Sequence, residues 1–153
     1  MNGRRTALDT NILVYAFDPR DPVKRERAAG TLSHGRMEGY LLGLQVIGEF
    51  YAVVTRRKIL TPARAVQEIE YLAKAFETFL PTERAYRDGA REAAGGRFSY
   101  WDAVLLISAQ EAKCDILLSE DMADGARLGG VTVRNPFGPR GLNEEACAFL
   151  GTM

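Results

Sequence analysis

The stretch TALDTNILVYAF, residues 6–17, changes character in its middle. Thr6-Ala7-Leu8 reads as a short strand ending at Asp9. Ile12 to Phe17 reads as the helix that follows, stopped by Asp18-Pro19 and Asp21-Pro22, since proline cannot continue a helix. Strand, acid, helix is the opening of a βα unit. Similar punctuation recurs along the chain. Tyr40 to Leu42 carries a short buried strand, Phe79-Leu80-Pro81 another, DILLS (115–119) a third, and GVTVRNPF (130–137) the last.

Helical patterns lie between them. One covers Val23 to Leu32 and is expected to end at Ser33-His34-Gly35. QVIGEFYAVVTRRK (45–58) closes with Arg and Lys, as the helix dipole prefers. TPARAVQEIEYLAKAF (61–76) begins with Thr61 as N-cap and Pro62 in the first turn. Residues 82–94 form a shorter helix closed by Gly95 and Gly96. SYWDAVLLISAQEAK (99–113) is a further helix, apolar on nearly every side. Strand-length runs alternating with helices predict an α/β fold with a mainly parallel sheet. Residues 1–137 form the expected domain. Residues 138–153, set off by the Gly- and Pro-rich PFGPRG, form a C-terminal tail with a short helix at NEEACAFL.

The chain has 153 residues, 46% hydrophobic and 26% charged, enough for one domain with a real core. No apolar run reaches the roughly 20 residues of a membrane helix, and no secretion signal is visible, so a cytoplasmic location is expected. Cys114 and Cys147 have no metal-type spacing and read as reduced, structural thiols. His34 is the one histidine and reads as a surface residue of a turn. A Ser-His-Asp triad or a histidine metal site is thereby nearly excluded. Any chemistry rests on carboxylates, hydroxyls, Arg or Lys. The net charge is zero, but residues 1–60 hold ten basic and six acidic residues, and residues 61–153 hold ten and fourteen.

Four acids stand in unusual places. Asp9 and Asp121 follow apolar strands, where open parallel sheets bind ligands. Glu49 lies on the edge of the stripe formed by Val46, Ile47, Phe50, Val53 and Val54. Asp102 opens the most apolar helix of the chain. Each has a structural explanation: Asp9 as an N-cap, Asp102 in a capping box with Ser99, Asp121 in a solvated turn, Glu49 as an edge residue reaching to water. If all four meet, mutual repulsion must raise a pKa unless a cation sits among them. Mg²⁺ or Mn²⁺ suits such an all-oxygen set.

ALDTNILVYAFD, GEFYAVV, YWDAVLLISA and ILLSEDMADG…GVTVRNPF together resemble the PIN-domain nucleases, more narrowly the VapC-like toxins of type II toxin–antitoxin systems. The resemblance spans about residues 5–137. It implies a three-layer α/β/α sandwich and a metal-dependent endoribonuclease that hydrolyses RNA phosphodiester bonds with one or two Mg²⁺ or Mn²⁺ ions. It also implies a cognate antitoxin and a homodimer. On this chain the family's four acids fall at Asp9, Glu49, Asp102 and Asp121. Asp9, Asp102 and Asp121 are the expected metal ligands, with Glu49 and Asp124 as further candidates. Ser119 and Asn11 are the supporting residues, Asn11 holding the Asp9 loop. The chain departs from many members at Ala123, where they carry another aspartate; Asp124 is one position further on. Arg20, Arg25 and Arg97 are candidate rim residues for RNA. Two other readings remain open at this stage. One is a Mg²⁺-dependent phosphatase with an aspartyl nucleophile, although Asn11 stands where such a site wants a second aspartate. The other is a non-catalytic module that binds RNA or protein.

Overall fold

A computed structural model describes residues 4–137. The chain order is β1 (Thr6–Leu8), α1 (Thr10–Tyr15), α2 (Pro22–Glu38), β2 (Leu41–Gly43), α3 (Leu44–Arg56), α4 (Pro62–Ala75), β3 (Glu77–Phe79), α5 (Glu83–Ala94), α6 (Tyr100–Glu111), β4 (Ile116–Leu118), β5 (Arg127–Leu128) and β6 (Val131–Arg134). The expected tail helix and Cys147 lie outside the described residues.

The strands form one six-stranded sheet in the order β3-β2-β1-β4-β6-β5. Every neighbouring pair is parallel except β5 with β6. Helices α1, α2, α3 and α4 pack in one contiguous group, and α5 packs on α6. The chain moves outward from β1 to β3 and returns past β1 to β4. Right-handed crossovers in opposite directions put the two helix groups on opposite faces, giving the three layers. Strands covered on both faces are apolar throughout rather than alternating. Ala7, Leu8, Leu41, Leu42, Ile116, Leu117 and Leu118 are all buried. Helix α6 is enclosed too: every residue from Ala103 to Ala109 is buried.

Two local expectations are corrected. Helix α2 does not stop at Ser33-His34-Gly35; it runs on to Glu38, and Gly39 caps it with a left-handed φ of 76°. Gly35 serves packing instead. A Cβ there would come within 2.6 Å of the Tyr40 ring, and His34 stacks edge-on to the same ring, 5.8 Å between centroids. Tertiary contact outweighs the ~1 kcal/mol that a mid-helix glycine costs. Beyond the turn at Asp121, which the structure keeps, lies a short strand that the sequence pattern did not mark. Arg127-Leu128 pairs antiparallel with Val131-Thr132 around Gly129-Gly130, with φ of 59° at Gly129. This is a two-residue hairpin of the kind Gly-Gly favours.

Cys114 is buried and unpaired, and burial pushes its thiol up to about 11; it behaves as a small apolar residue. Among the described residues no helix is long and apolar enough to cross a membrane.

Candidate active site

The sheet reverses direction at β1. The crevice at the carboxyl ends of β1 and β4 is where a doubly wound sheet offers a binding site. Parallel register sets Leu8 beside both Leu42 and Leu118. The next residues, Asp9 and Ser119, therefore emerge level with each other. Ser119 Oγ donates to Asp9 Oδ2 at 2.7 Å, and Asp9 N–H donates to Leu118 O at 2.9 Å.

Asp9 is buried, with 6% of its surface exposed. It caps α1, its Oδ1 accepting from Thr10 N–H at 2.7 Å. Burial, the largest cause, pushes its carboxyl up to about 6; hydrogen bonds from Ser119 and Thr10 oppose this, and the charges of Asp102 and Asp121 add to the rise. Asp102 is half-buried in the first turn of α6. Ser99 Oγ accepts from its N–H at 3.3 Å, so the capping half of the expected box is present. Burial and then the charge of Asp121 raise the Asp102 carboxyl as well. Asp9 thus lies in the fields of Asp102 and Asp121, and Asp102 in that of Asp121. Glu49 is exposed and joins them through Thr10, whose hydroxyl donates to Glu49 Oε1 at 3.1 Å.

Asn11 ties the β1 and β4 ends together. Its Nδ2 donates to Ser119 Oγ at 3.3 Å and to Asp9 Oδ2 at 3.5 Å, and its Oδ1 accepts from Glu120 N–H at 3.2 Å. Ser119 Oγ also accepts from Asp121 N–H at 3.1 Å, fixing the turn that carries Asp121. Asp124 Oδ1 accepts from Asn135 N–H at 2.9 Å, tying the turn before β5 to the end of β6.

A cleft of about 260 Å³ opens beside these groups, lined by Thr10, Asn11, Val14, Tyr15, Asp18, Glu49, Val53, Arg57 and Asp121. Several of these residues were not singled out in the sequence. Tyr15 donates from its hydroxyl to Glu120 Oε1 at 2.7 Å, and Lys24 pairs with the other Glu120 oxygen. Burial and then Glu120 raise the Tyr15 phenol, keeping it a donor. Asp18 is buried and receives both the Nε and Nη2 of Arg20, at 2.9 and 2.8 Å; these bonds hold its carboxyl low. Arg20 is therefore engaged. Arg97 donates to Arg127 O at 2.6 Å. Arg25 is exposed on α2 and does not line the cleft. The helical spacing of Glu49, Val53 and Arg57 was the available signal for the missing cation.

The donors suit a hard divalent cation: they are carboxylate and hydroxyl oxygens, and a buried Asp9 carboxylate needs compensation. Among the described residues no three His, Cys, Asp or Glu side chains close into a ready-made cage.

The PIN domain family model matches residues 6–123. No curated protein matches the chain. Among solved structures, the chain is similar to VapC20 of Mycobacterium tuberculosis, described as a sarcin-ricin loop cleaving toxin. That match has a TM-score of 0.61 at 14% identity and covers 76% of this chain and 89% of that one. VapBC2 of Rickettsia felis, bound to a promoter DNA fragment, matches with a TM-score of 0.62 at 16% identity over 85% and 97%. FitAcB of Neisseria gonorrhoeae matches with a TM-score of 0.58 at 21% identity over 86% and 97%. Likeness at these identities speaks for the fold.

Proposed function

This chain belongs to the PIN-domain family, and we propose that it is a divalent-metal-dependent endoribonuclease, the toxin of a toxin–antitoxin pair. The observation that supports the reading is the junction at the carboxyl ends of β1 and β4, where Ser119 Oγ donates to Asp9 Oδ2 and accepts from Asp121 N–H beside a cleft lined by Glu49 and Asp121. A phosphodiester is a dianionic problem at its transition state, and acids alone repel it. The acids make sense as holders of Mg²⁺ or Mn²⁺. When bound, the cation supplies charge against the phosphate and acidifies the attacking water.

The protein residues do the rest. Asp9 is the central ligand, because it is buried and anchored on both oxygens. Asp102 and Asp121 complete the set from α6 and the β4 turn. Glu49, exposed at the cleft wall and steadied by Thr10, orients the water that attacks phosphorus. Ser119 and Asn11 position Asp9 and Asp121. Asp124, whose Oδ1 accepts from Asn135 N–H, is the further ligand candidate. The antitoxin partner is proposed because the similar structures include toxin–antitoxin complexes; a homodimer and a cytoplasmic location belong to the same reading.

The test is incubation of the purified protein with single-stranded RNA in Mn²⁺ or Mg²⁺, with and without excess EDTA, beside Asp102→Asn. Cleavage that needs metal and fails in the variant supports the proposal. Cleavage that persists in EDTA, or in Asp102→Asn, contradicts it. Turnover of p-nitrophenyl phosphate without RNA cleavage would favour a phosphatase.

A further inference from the structure

We infer that Arg57 holds a phosphate of the RNA strand flanking the cleaved bond, in the groove between α1 and α3; this rests on the nuclease reading above. The groove has a direction. Thr10, Asn11, Val14, Tyr15 and Asp18 descend along α1 and the turn after it, and Glu49, Val53 and Arg57 descend along one face of α3. The spacings i, i+4 and i+8 put these α3 side chains in line. Eight residues of helix span ~12 Å. The groove therefore has two of its acids, Glu49 and Asp121, toward one end, and about two turns of helix away a cation beside the third acid, Asp18, which Arg20 already holds.

Among the described residues Arg57 is the single cation lining the groove. Its neighbour Asp18 already receives both arms of the Arg20 fork, together with the Arg20 N–H at 3.0 Å. Among the described residues the Arg57 guanidinium makes no hydrogen bond or ion pair; it acts on Asp18 through space alone. Its backbone is held, N–H to Val53 O at 2.9 Å, while its side chain is exposed. Arg56 and Lys58 beside it are exposed as well. An exposed planar fork that makes no hydrogen bond among the described residues, at the far end of a groove whose near end holds Glu49 and Asp121, matches a phosphate oxygen pair. The groove wall between is Val14, Val53 and Tyr15, which suits a ribose or base edge. The strand would enter with one phosphate at Arg57 and the next ones directed toward Asp9 and Asp121. Arg57 is a binding residue at a distance from the reacting atoms, so it governs KM rather than kcat.

The experiment compares wild type, Arg57→Ala, Arg57→Lys and the control Arg87→Ala, whose exposed side chain pairs with Glu83 on α5. Two readouts are taken across a salt series: kcat and KM for cleavage of a single-stranded RNA oligonucleotide, and binding of the same oligonucleotide in EDTA by fluorescence anisotropy. Arg57→Ala is expected to raise KM and the anisotropy Kd by roughly 10- to 100-fold, the worth of a charge-assisted hydrogen bond, with kcat within about twofold. The slope of log Kd against log salt should fall by ~0.7, the share of one phosphate on a single strand. Arg57→Lys should keep the slope and lose part of the affinity. Arg87→Ala should match wild type. Unchanged KM, Kd and slope in a folded Arg57→Ala protein would overturn the inference and hand the groove to another occupant, such as a protein side chain. A loss confined to kcat would overturn it as well. If wild type binds RNA through Arg57 yet cleaves none, the nuclease reading fails and the binding role of Arg57 stands.

Discussion

Replacing Asp9 by Asn should stabilise the metal-free protein at neutral pH while abolishing its proposed activity. The carboxyl of Asp9 moves from its ordinary 3.8 to about 6 in the fold. A shift of ~2 units at 1.36 kcal/mol each is worth ~3 kcal/mol. The folded state binds this proton more tightly than the unfolded chain does. The contribution of Asp9 to stability is therefore fully present below pH ~4 and lost as pH rises through about 6. Asn cannot ionise, so the variant escapes this loss. It keeps an oxygen for Thr10 N–H, and Ser119 Oγ, which already accepts from Asn11 and Asp121, can take the new amide in place of Asn11. Urea unfolding of both proteins in EDTA, from pH 4 to 7.5, measures the effect. The wild type should fall relative to Asp9→Asn by up to ~3 kcal/mol across that range. Near pH 7.5 this corresponds to a melting temperature higher by ~6–12 °C in the variant. Parallel pH profiles would refute the reasoning, because they would mean that the Asp9 carboxylate is buried at no cost.

Other perturbations separate positioning from packing. Ser119→Ala removes the 2.7 Å bond to Asp9 and leaves Asn11 Nδ2 and Asp121 N–H without their oxygen. It should cost ~1–3 kcal/mol in urea unfolding and, because that hydroxyl lowers the Asp9 carboxyl, move the acid limb of the pH–rate profile upward. Gly89→Ala places a Cβ 2.8 Å from Val104 Cγ2 and 3.3 Å from Val104 N. Prising α5 from α6 should cost ~1–3 kcal/mol, seen as a lower urea midpoint at every pH. Glu120→Gln weakens the partner of Lys24 and Tyr15 but spares the Glu120 N–H that holds Asn11; stability should drop by less than ~2 kcal/mol while RNA cleavage survives.

The α/β architecture was legible because its signals are local and repeated. Apolar pairs such as Ala7-Leu8 and Leu117-Leu118 are followed by caps and turns, and Thr61-Pro62 marks a helix start that the structure keeps. What escaped was set by distant contact. Ser33-His34-Gly35 carries the composition of a turn, yet the Tyr40 ring fills the space above Gly35 and the helix continues. The β5–β6 hairpin was readable in Leu128-Gly129-Gly130-Val131, but its strands are too short for periodicity to show. At the site, the strand ends pointed to Asp9 and Asp121, and Ser119 came from the family resemblance; the parallel register that sets Ser119 level with Asp9 is visible only in the fold. The cleft walls did not follow as directly. Tyr15, Glu120 and Lys24 meet from α1, the β4 turn and α2, and only the three-dimensional path of the chain brings them together. Arg57 was visible as a helix-end cation; that it faces the cleft depends on how α3 lies against α1.

Calorimetric titration of Mn²⁺ into the protein, beside Asp9→Asn and Asp121→Asn, tests the shared cation site most directly. The account predicts saturable binding in the wild type that is lost or weakened by at least tenfold, ~1.4 kcal/mol, in each variant. No binding to the wild type, or binding that both variants retain unchanged, would contradict it.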